Sequence, residues 1–339
     1  MPSPRSLPAR FLVLGAAALV LILGSTLLGP TVPTWGELFP IDFQAPFWHL
    51  RVPRTCLAAL AGAGLAVSGV IFQALFRNPL AEPYTLGVAS GASLAAAIGF
   101  FAGLSGYVGW FPVRLILALA GAIAAMSLVY LMARLRGGQD MTRLLLAGVC
   151  VSYTSSAGIL LVSFLADRTV TNEIIVWLMG SLGVYRPAAN IEIAVVLALL
   201  LAFAVYSHRA IDLLWLGPDL AAARGVHVGR TIWGCFTLVS LLTAVIVANC
   251  GPIGFVGLMV PHIARALFGV RTLPLLGAAA LGGAAFLATC DGLGRVALSV
   301  VHQRPVGFEF PVGVLTNIIG AAFFFYLLAT RDTTPGTSR

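Results

Sequence analysis

Residues able to carry covalent chemistry are few in this 339-residue chain, and their spacing does not assemble them. Cys56, Cys150, Cys235, Cys250 and Cys290 stand singly among apolar residues with no CxxC pair, so the pattern supports neither a metal centre nor a disulfide. No HExxH and no GxSxG occurs, and Ser90 in ASGAS has no evident base. His49, His262 and His302 are solitary; His262 adjoins Pro261 in VPHIAR, where a structural hydrogen bond is the simpler role. All 20 basic residues are arginine. A Walker A loop needs a lysine to reach the β- and γ-phosphates, so the chain cannot hold a P-loop ATP site. Any ATP, with its Mg²⁺, must be bound by another subunit. One carboxylate, Asp291, interrupts a long apolar run, and Arg295 follows at i+4, placed to neutralise it. The expectation is a chain with no catalytic residue, no metal ligand and no cofactor of its own.

These residues hang on segments built for lipid. The chain is 59% hydrophobic and 9% charged, whereas a soluble domain carries roughly 25% charged residues. The N-terminal MPSPRSLPAR leads into FLVLGAAALVLILGSTLLGP. A run of about 20 residues exceeds the core of a signal peptide and matches a bilayer span, so it reads as a retained first helix. Apolar spans between Pro, Gly or polar punctuation fall near 10–29, 54–76, 84–104, 113–135, 142–166, 189–207, 229–250, 254–269, 272–297 and 311–330. In this layout 13 arginines lie on one side and 7 on the other, which puts the richer side and both termini in the cytoplasm. The fold class is an all-α integral membrane protein of about ten transmembrane helices, one domain over 1–339. Runs such as GASLAAAIGFFAGLSG and LLGAAALGGAAFLA let helix backbones approach closely in lipid.

Two polar interruptions stand out. RNPLAEPYTLG follows the second span, and NCGPIGFVGLMVPHIAR follows the seventh. Two prolines in the first remove N–H donors and stop the preceding helix, and Asn78 is placed to bond the freed backbone. The second to fifth spans (about 51–166) and the seventh to tenth (about 229–330) then form two four-helix units. The sixth span and a long loop, about 189–228, separate them, so the second unit starts on the opposite side of the membrane. That is the pattern of an inverted repeat. The long loop reads SHRAIDLLWLGPDLAAARGVHVGR and suits two short helices, with Asp212 and Asp219 near their N-terminal ends. Leu213, Leu214, Trp215, Leu216 and Leu220 are too apolar to face water, so this elbow docks on something. At the other side Arg51 and Arg54 flank the start of the second span and Arg295 ends the ninth, positions also suited to interfacial snorkelling. WLMGSL (177–182) reads as a short helix at the outer face.

RVPRTCLAALAGAGLAVSGVIFQALFRNPLAEPYTLGVASGAS closely resembles the signature of the FecCD family, the permease subunits of ABC importers for iron-siderophores, haem and vitamin B12. The likeness continues through LLLAGV, WLMGSL, LGPDLAAARGV, GPIGFVGLMVPHIAR, the Asp291/Arg295 pair and FPVGVLTNIIGAAFFF, nearly the whole chain after the first span. It implies a homodimer in the cell (inner) membrane with its pathway on the two-fold axis. Two ATPase subunits would sit at the cytoplasmic face and a periplasmic or lipoprotein binding protein at the outer face. By the same likeness, Asn78, Pro79 and Leu80 match a cytoplasmic gate, helped by Thr142. Leu213, Leu216, Gly217, Asp219, Leu220, Ala221, Arg224 and Gly225 match coupling helices that enter a groove of the ATPase. Gly217 and Gly225 fit the turns there, while Pro218 and Arg224 depart from the usual acidic and apolar residues. Arg51, Arg54 and Arg295 match arginines that receive acidic side chains from the two lobes of the binding protein. The expected cargo is an iron-siderophore, then haem, then cobalamin; VHQRPVGFEFPVG departs from the commoner family form.

Two other classes compete. An ion-coupled secondary transporter would also carry inverted repeats, but it needs polar or acidic groups free near mid-membrane, and Asp291 is the main candidate. An intramembrane enzyme would need a nucleophile with its base, and none is legible.

Overall fold

The computed structural model describes residues 7–29, 47–104, 106–109, 111–134, 141–183, 186–300 and 310–330, with side chains omitted at 85, 86, 133, 134, 141, 142 and 298–300. Helix α1 is Leu7–Leu27, and a π-helical turn, Phe47–Arg51, leads into α2, Val52–Phe76. A 3-10 turn, Pro83–Leu86, precedes α3, Val88–Phe101; a hairpin of β1, Tyr107–Val108, and β2, Phe111–Pro112, joins it to α4, Val113–Arg134. Then follow α5 (Met141–Leu165), α6 (Arg168–Leu178) and α7 (Pro187–Tyr206). The elbow is α8 (His208–Leu216) and α9 (Pro218–Ala223), before α10 (Val228–Cys250), α11 (Val256–Phe268), α12 (Thr272–Val300) and α13 (Val312–Thr330). His302 and the rest of 301–309 lie outside the described residues.

Eight of these helices are long and apolar enough to cross a bilayer, α2 together with its leading turn. The two other expected spans, 84–104 and 254–269, are realised as half-helices. With 14 residues in α3 and 13 in α11, each extends only about 20 Å, short of a hydrocarbon core of about 30 Å. Both begin partway across the bundle. Gly87, just before α3, abuts Gly148 and Val151 near the middle of α5, and Gly257 in α11 abuts Leu65 near the middle of α2. Each half-helix packs on the first helix of the opposite unit, α3 on α10 and α11 on α2. This exchange gives the two four-helix units their mutual grip.

Helix α2 is the spine. Pro53 suits its first turn, where the missing N–H has no partner to lose. From Ala61 to Phe76 every residue is buried. Such burial in a bundle without hydrophobic drive depends on close backbone contact. Gly62 meets Gly283 of α12, Gly69 meets Gly257 of α11, and Gly91 of α3 meets Gly121 of α4. By contrast α5 and α13 turn Tyr153, Phe164, Phe325 and Leu328 outward, as lipid or a second membrane chain allows.

A Cβ on Gly62 would lie 2.1 Å from the Gly283 carbonyl oxygen, whereas one on Gly15 would meet nothing within 4 Å. Gly62→Ala is therefore expected to pry α2 from α12 and cost about 1–3 kcal/mol. Thermal unfolding in detergent should show a lowered Tm for that variant and none for Gly15→Ala; equal Tm values would refute the crossing.

Candidate functional site

Charge gathers at the two ends of the bundle. One end carries the elbow, together with Arg10, which donates to Leu267 O, and the turn after α2. The opposite end carries the start of α2, the end of α1 and the distal part of α12.

At the opposite end a carboxylate holds three helices. Asp291 of α12 is 2% exposed. Arg54 of α2 donates to its Oδ1 through Nε at 3.0 Å and Nη2 at 2.8 Å. Arg295, one turn along α12, pairs with Oδ2 at 3.2 Å and donates from Nη2 to Ser25 O of α1 at 2.8 Å. The expected Asp291–Arg295 pair is present, and Arg54 joins it. The resemblance implies that Arg54 and Arg295 receive acidic side chains of a binding protein; within this chain both face Asp291, with side chains only 13% and 10% exposed. Arg51 lies beside them, its guanidinium against Gly29. A second cluster ties α7 to α10: Arg186 donates to Glu192 at 2.5 Å and Asn249 at 3.1 Å, and Asn249 donates to Glu192 at 3.1 Å. Neither Glu192 nor Asn249 had a role from sequence. The polar tip of α7 also reaches α2, since Asn190 donates to Pro53 O at 3.1 Å.

At the elbow end α2 stops at Phe76. Arg77 adopts a left-handed conformation (φ 50°), and its N–H bonds Ala74 O while the Asn78 N–H bonds Gln73 O, the geometry that closes a helix C-terminus. Asn78 then accepts from the Leu80 N–H through Oδ1 at 2.9 Å, an Asx turn that fixes the NPL corner. Pro79 and Leu80 are exposed. Thr142 lies in the first turn of α5. Glu82, half-buried, follows the corner. Tyr84 accepts from the Ile253 N–H, so the two broken segments touch.

The elbow divides into an inner and an outer face. Ile211, Leu214 and Ala221 are buried, and Leu213 and Trp215 pack on the core from partial exposure. Leu216 and Leu220 remain exposed, with Asp219, Arg224 and Gly225. Ala221, like Gly217, is buried against its own chain. One expectation is corrected. Asp212 lies inside α8 and caps another helix: its Oδ1 accepts from the Thr272 N–H at 2.8 Å and Oγ1 at 2.5 Å, at the start of α12. Gly217 (φ 140°) and Gly225 (φ 80°) take the turns as expected. His262 stacks edge-on against Phe323 and Phe324 of α13.

A bundle of apolar helices, two of them broken at depth, with ion pairs at one end and a structured elbow at the other, defines a membrane permease. The chain belongs to the FecCD transport family, whose sequence profile matches residues 14–330. It is 38% identical to the Fe(3+) dicitrate transport system permease protein FecD of Escherichia coli, over 94% of this chain and 96% of that one. To the hemin transport system permease protein HmuU of Yersinia pestis it is 33% identical, over 91% and 92% of the two chains. A solved inward-facing structure of a metal-chelate type ABC transporter superposes with a TM-score of 0.84 at 29% identity, over 95% of this chain and 99% of that one. This chain is thus a multi-pass permease subunit of an ABC importer, a role that implies ATPase and binding-protein partners.

Removing the shared acid isolates the energetics of the ion cluster. Asp291→Asn leaves two poorly exposed guanidiniums facing each other, a loss of about 3–5 kcal/mol. Tm in detergent should fall steeply, and Arg54→Met in the same background should recover part of it. A drop no larger than that of an exposed control substitution would show that water already screens the cluster.

Proposed function

We propose that this permease carries a metal chelate across the cell (inner) membrane, with a ferric siderophore the first choice, haem the second and cobalamin the third. It works as a homodimer whose pathway follows the two-fold axis. Relatives named for ferric dicitrate, hemin and vitamin B12 support this cargo class. The elbow end faces the cytoplasm with both termini, by the arginine asymmetry. There Leu216 and Leu220, exposed on a short-helix lever that packs on its own chain through Ile211, Leu214 and Ala221, offer the apolar contact for two ATPase subunits. The full-length match to family permeases, combined with that half-free elbow, carries the reading. ATP and Mg²⁺ belong to the partner, since the chain has no lysine for a phosphate loop.

In this scheme the NPL corner, with Asn78, Pro79, Leu80 and Thr142, is the inner gate. Its turn is fixed by the Asn78 side chain, and Leu80 is the side chain free to narrow the exit. At the outer end Arg51, Arg54 and Arg295 outnumber Asp291, so the face keeps a positive excess that steers an acidic binding protein. Arg51 is the contact residue, and the Asp291 cluster sets the register beneath it. A secondary transporter fits less well, because Asp291 is held by two arginines and cannot serve as a free coupling site.

In proteoliposomes with its ATPase and binding protein, uptake should require ATP and survive a proton uncoupler. Uptake without ATP that an uncoupler abolishes would instead establish the secondary transporter. Arg51→Glu should weaken the binding protein's affinity for the complex about tenfold or more. An unchanged Kd removes Arg51 from the docking face.

A further inference from the structure

Gln73 and Arg265 have no place in the scheme above, yet they complete a continuous path of contacts from the elbow to the NPL corner. Trp215, half-buried on α8, presents its ring to Arg265 of α11, whose guanidinium carbon lies 5.1 Å from the ring centroid. Arg265 donates through Nη2 to Oε1 of Gln73. Gln73, fully buried in α2, donates through Nε2 to Gly257 O at 3.2 Å, near the start of α11. Its main-chain carbonyl accepts the Asn78 N–H at 3.2 Å, the bond that closes α2 into the corner. One residue therefore senses α11 with its side chain and holds the gate turn with its backbone.

The chemistry of Gln73 asks for an explanation. It sits in the run GVIFQALF, where Leu or Met would fill the same space with no polar atom to desolvate. Its amide is retained with both ends engaged, one to each part of α11. The elbow meanwhile grips the α11–α12 hairpin on both limbs, at Arg265 through Trp215 and at Thr272 through Asp212. A displacement of α8 cannot leave α11 behind without breaking one of these contacts.

We propose that Gln73 and Arg265 are positioning residues for transport: the Trp215–Arg265–Gln73 clasp makes the NPL corner follow the elbow. This rests on the reading that the elbow docks the ATPase and the corner is the gate. The clasp adds the link between them, and spatial continuity becomes a mechanism only if perturbing it changes the coupling.

The test needs no cargo. In the complete complex with ATPase and binding protein, exposed Cys56 and Cys150 are replaced by Ser and Leu80→Cys is spin-labelled in both protomers. Pulsed electron resonance reads the label-to-label distance with and without ATP and vanadate. The background complex should show an ATP-dependent shift. Gln73→Leu and Arg265→Met should each reduce it about threefold or more while ATPase subunits stay bound, and the double variant should be no worse than the poorer single, as for two residues of one network. A full shift in Gln73→Leu, or losses that multiply in the double, overturns the clasp. No shift in the background complex sinks the gate assignment itself, a distinct outcome. Should the buried variants not fold, Trp215→Phe, which keeps a ring face, should preserve the shift while Trp215→Leu loses it. Equal behaviour of that pair, or loss of the ATPase from either, also refutes the proposal.

Discussion

Backbone amides cannot be left unbonded in lipid, and this requirement governs the molecule. A permease must nonetheless have irregular backbone at depth, because uninterrupted helices give no place to change shape. The two demands are reconciled by burying each interruption against the opposite unit. Tyr84 accepts the Ile253 N–H, Ser181 N–H bonds Cys250 O, and Gln73 serves Gly257 O. At α11 these partners are available where the half-helix starts.

Close approach of helices is the second consequence. Partners can serve a broken segment only if backbones come near, and Gly62, Gly69, Gly91 and their opposites permit that nearness. Small residues thus do more than fill space. They bring polar groups of one unit within reach of the unpaired groups of the other. Charges obey the same logic: Asp291 survives at 2% exposure because two guanidiniums from separate turns converge on it.

Much of this was legible in the sequence. Long apolar runs and arginine punctuation give the full spans, and the paired Pro-broken motifs mark where the half-helices begin. The elbow's two short helices were expected from the sequence, with Gly217 and Gly225 at the turns. What escaped was pairing across distance. Arg54 and Asp291 lie 237 positions apart, and Asp212 and Thr272 lie 60 apart, so spacing along the chain says nothing of their meeting. A lone acid in an apolar run does signal that counter-charges must arrive, and a lone glutamine among GVIF and ALF signals buried amide partners. Which partners come is settled only by the crossing of helices. Within the elbow, the 3.6-residue period decides which side chains face inward, as burial of Ala221 beside exposed Leu220 shows.

The longest helix links both charged ends. Over its 29 residues α12 spans about 43 Å. Thr272 at one end is held by Asp212 of the elbow, and Asp291 toward the other is held by Arg54 of α2. Between them Gly283 locks to Gly62. A rod fixed at three points cannot slide along its axis without breaking ion pairs or driving backbone into backbone. Nor is the crossing a free hinge, because Ala66 of α2 and Leu287 of α12 close on the two glycines. The arrangement therefore holds the two units in register, with the elbow and the Arg54–Asp291 cluster at opposite ends of the same rod.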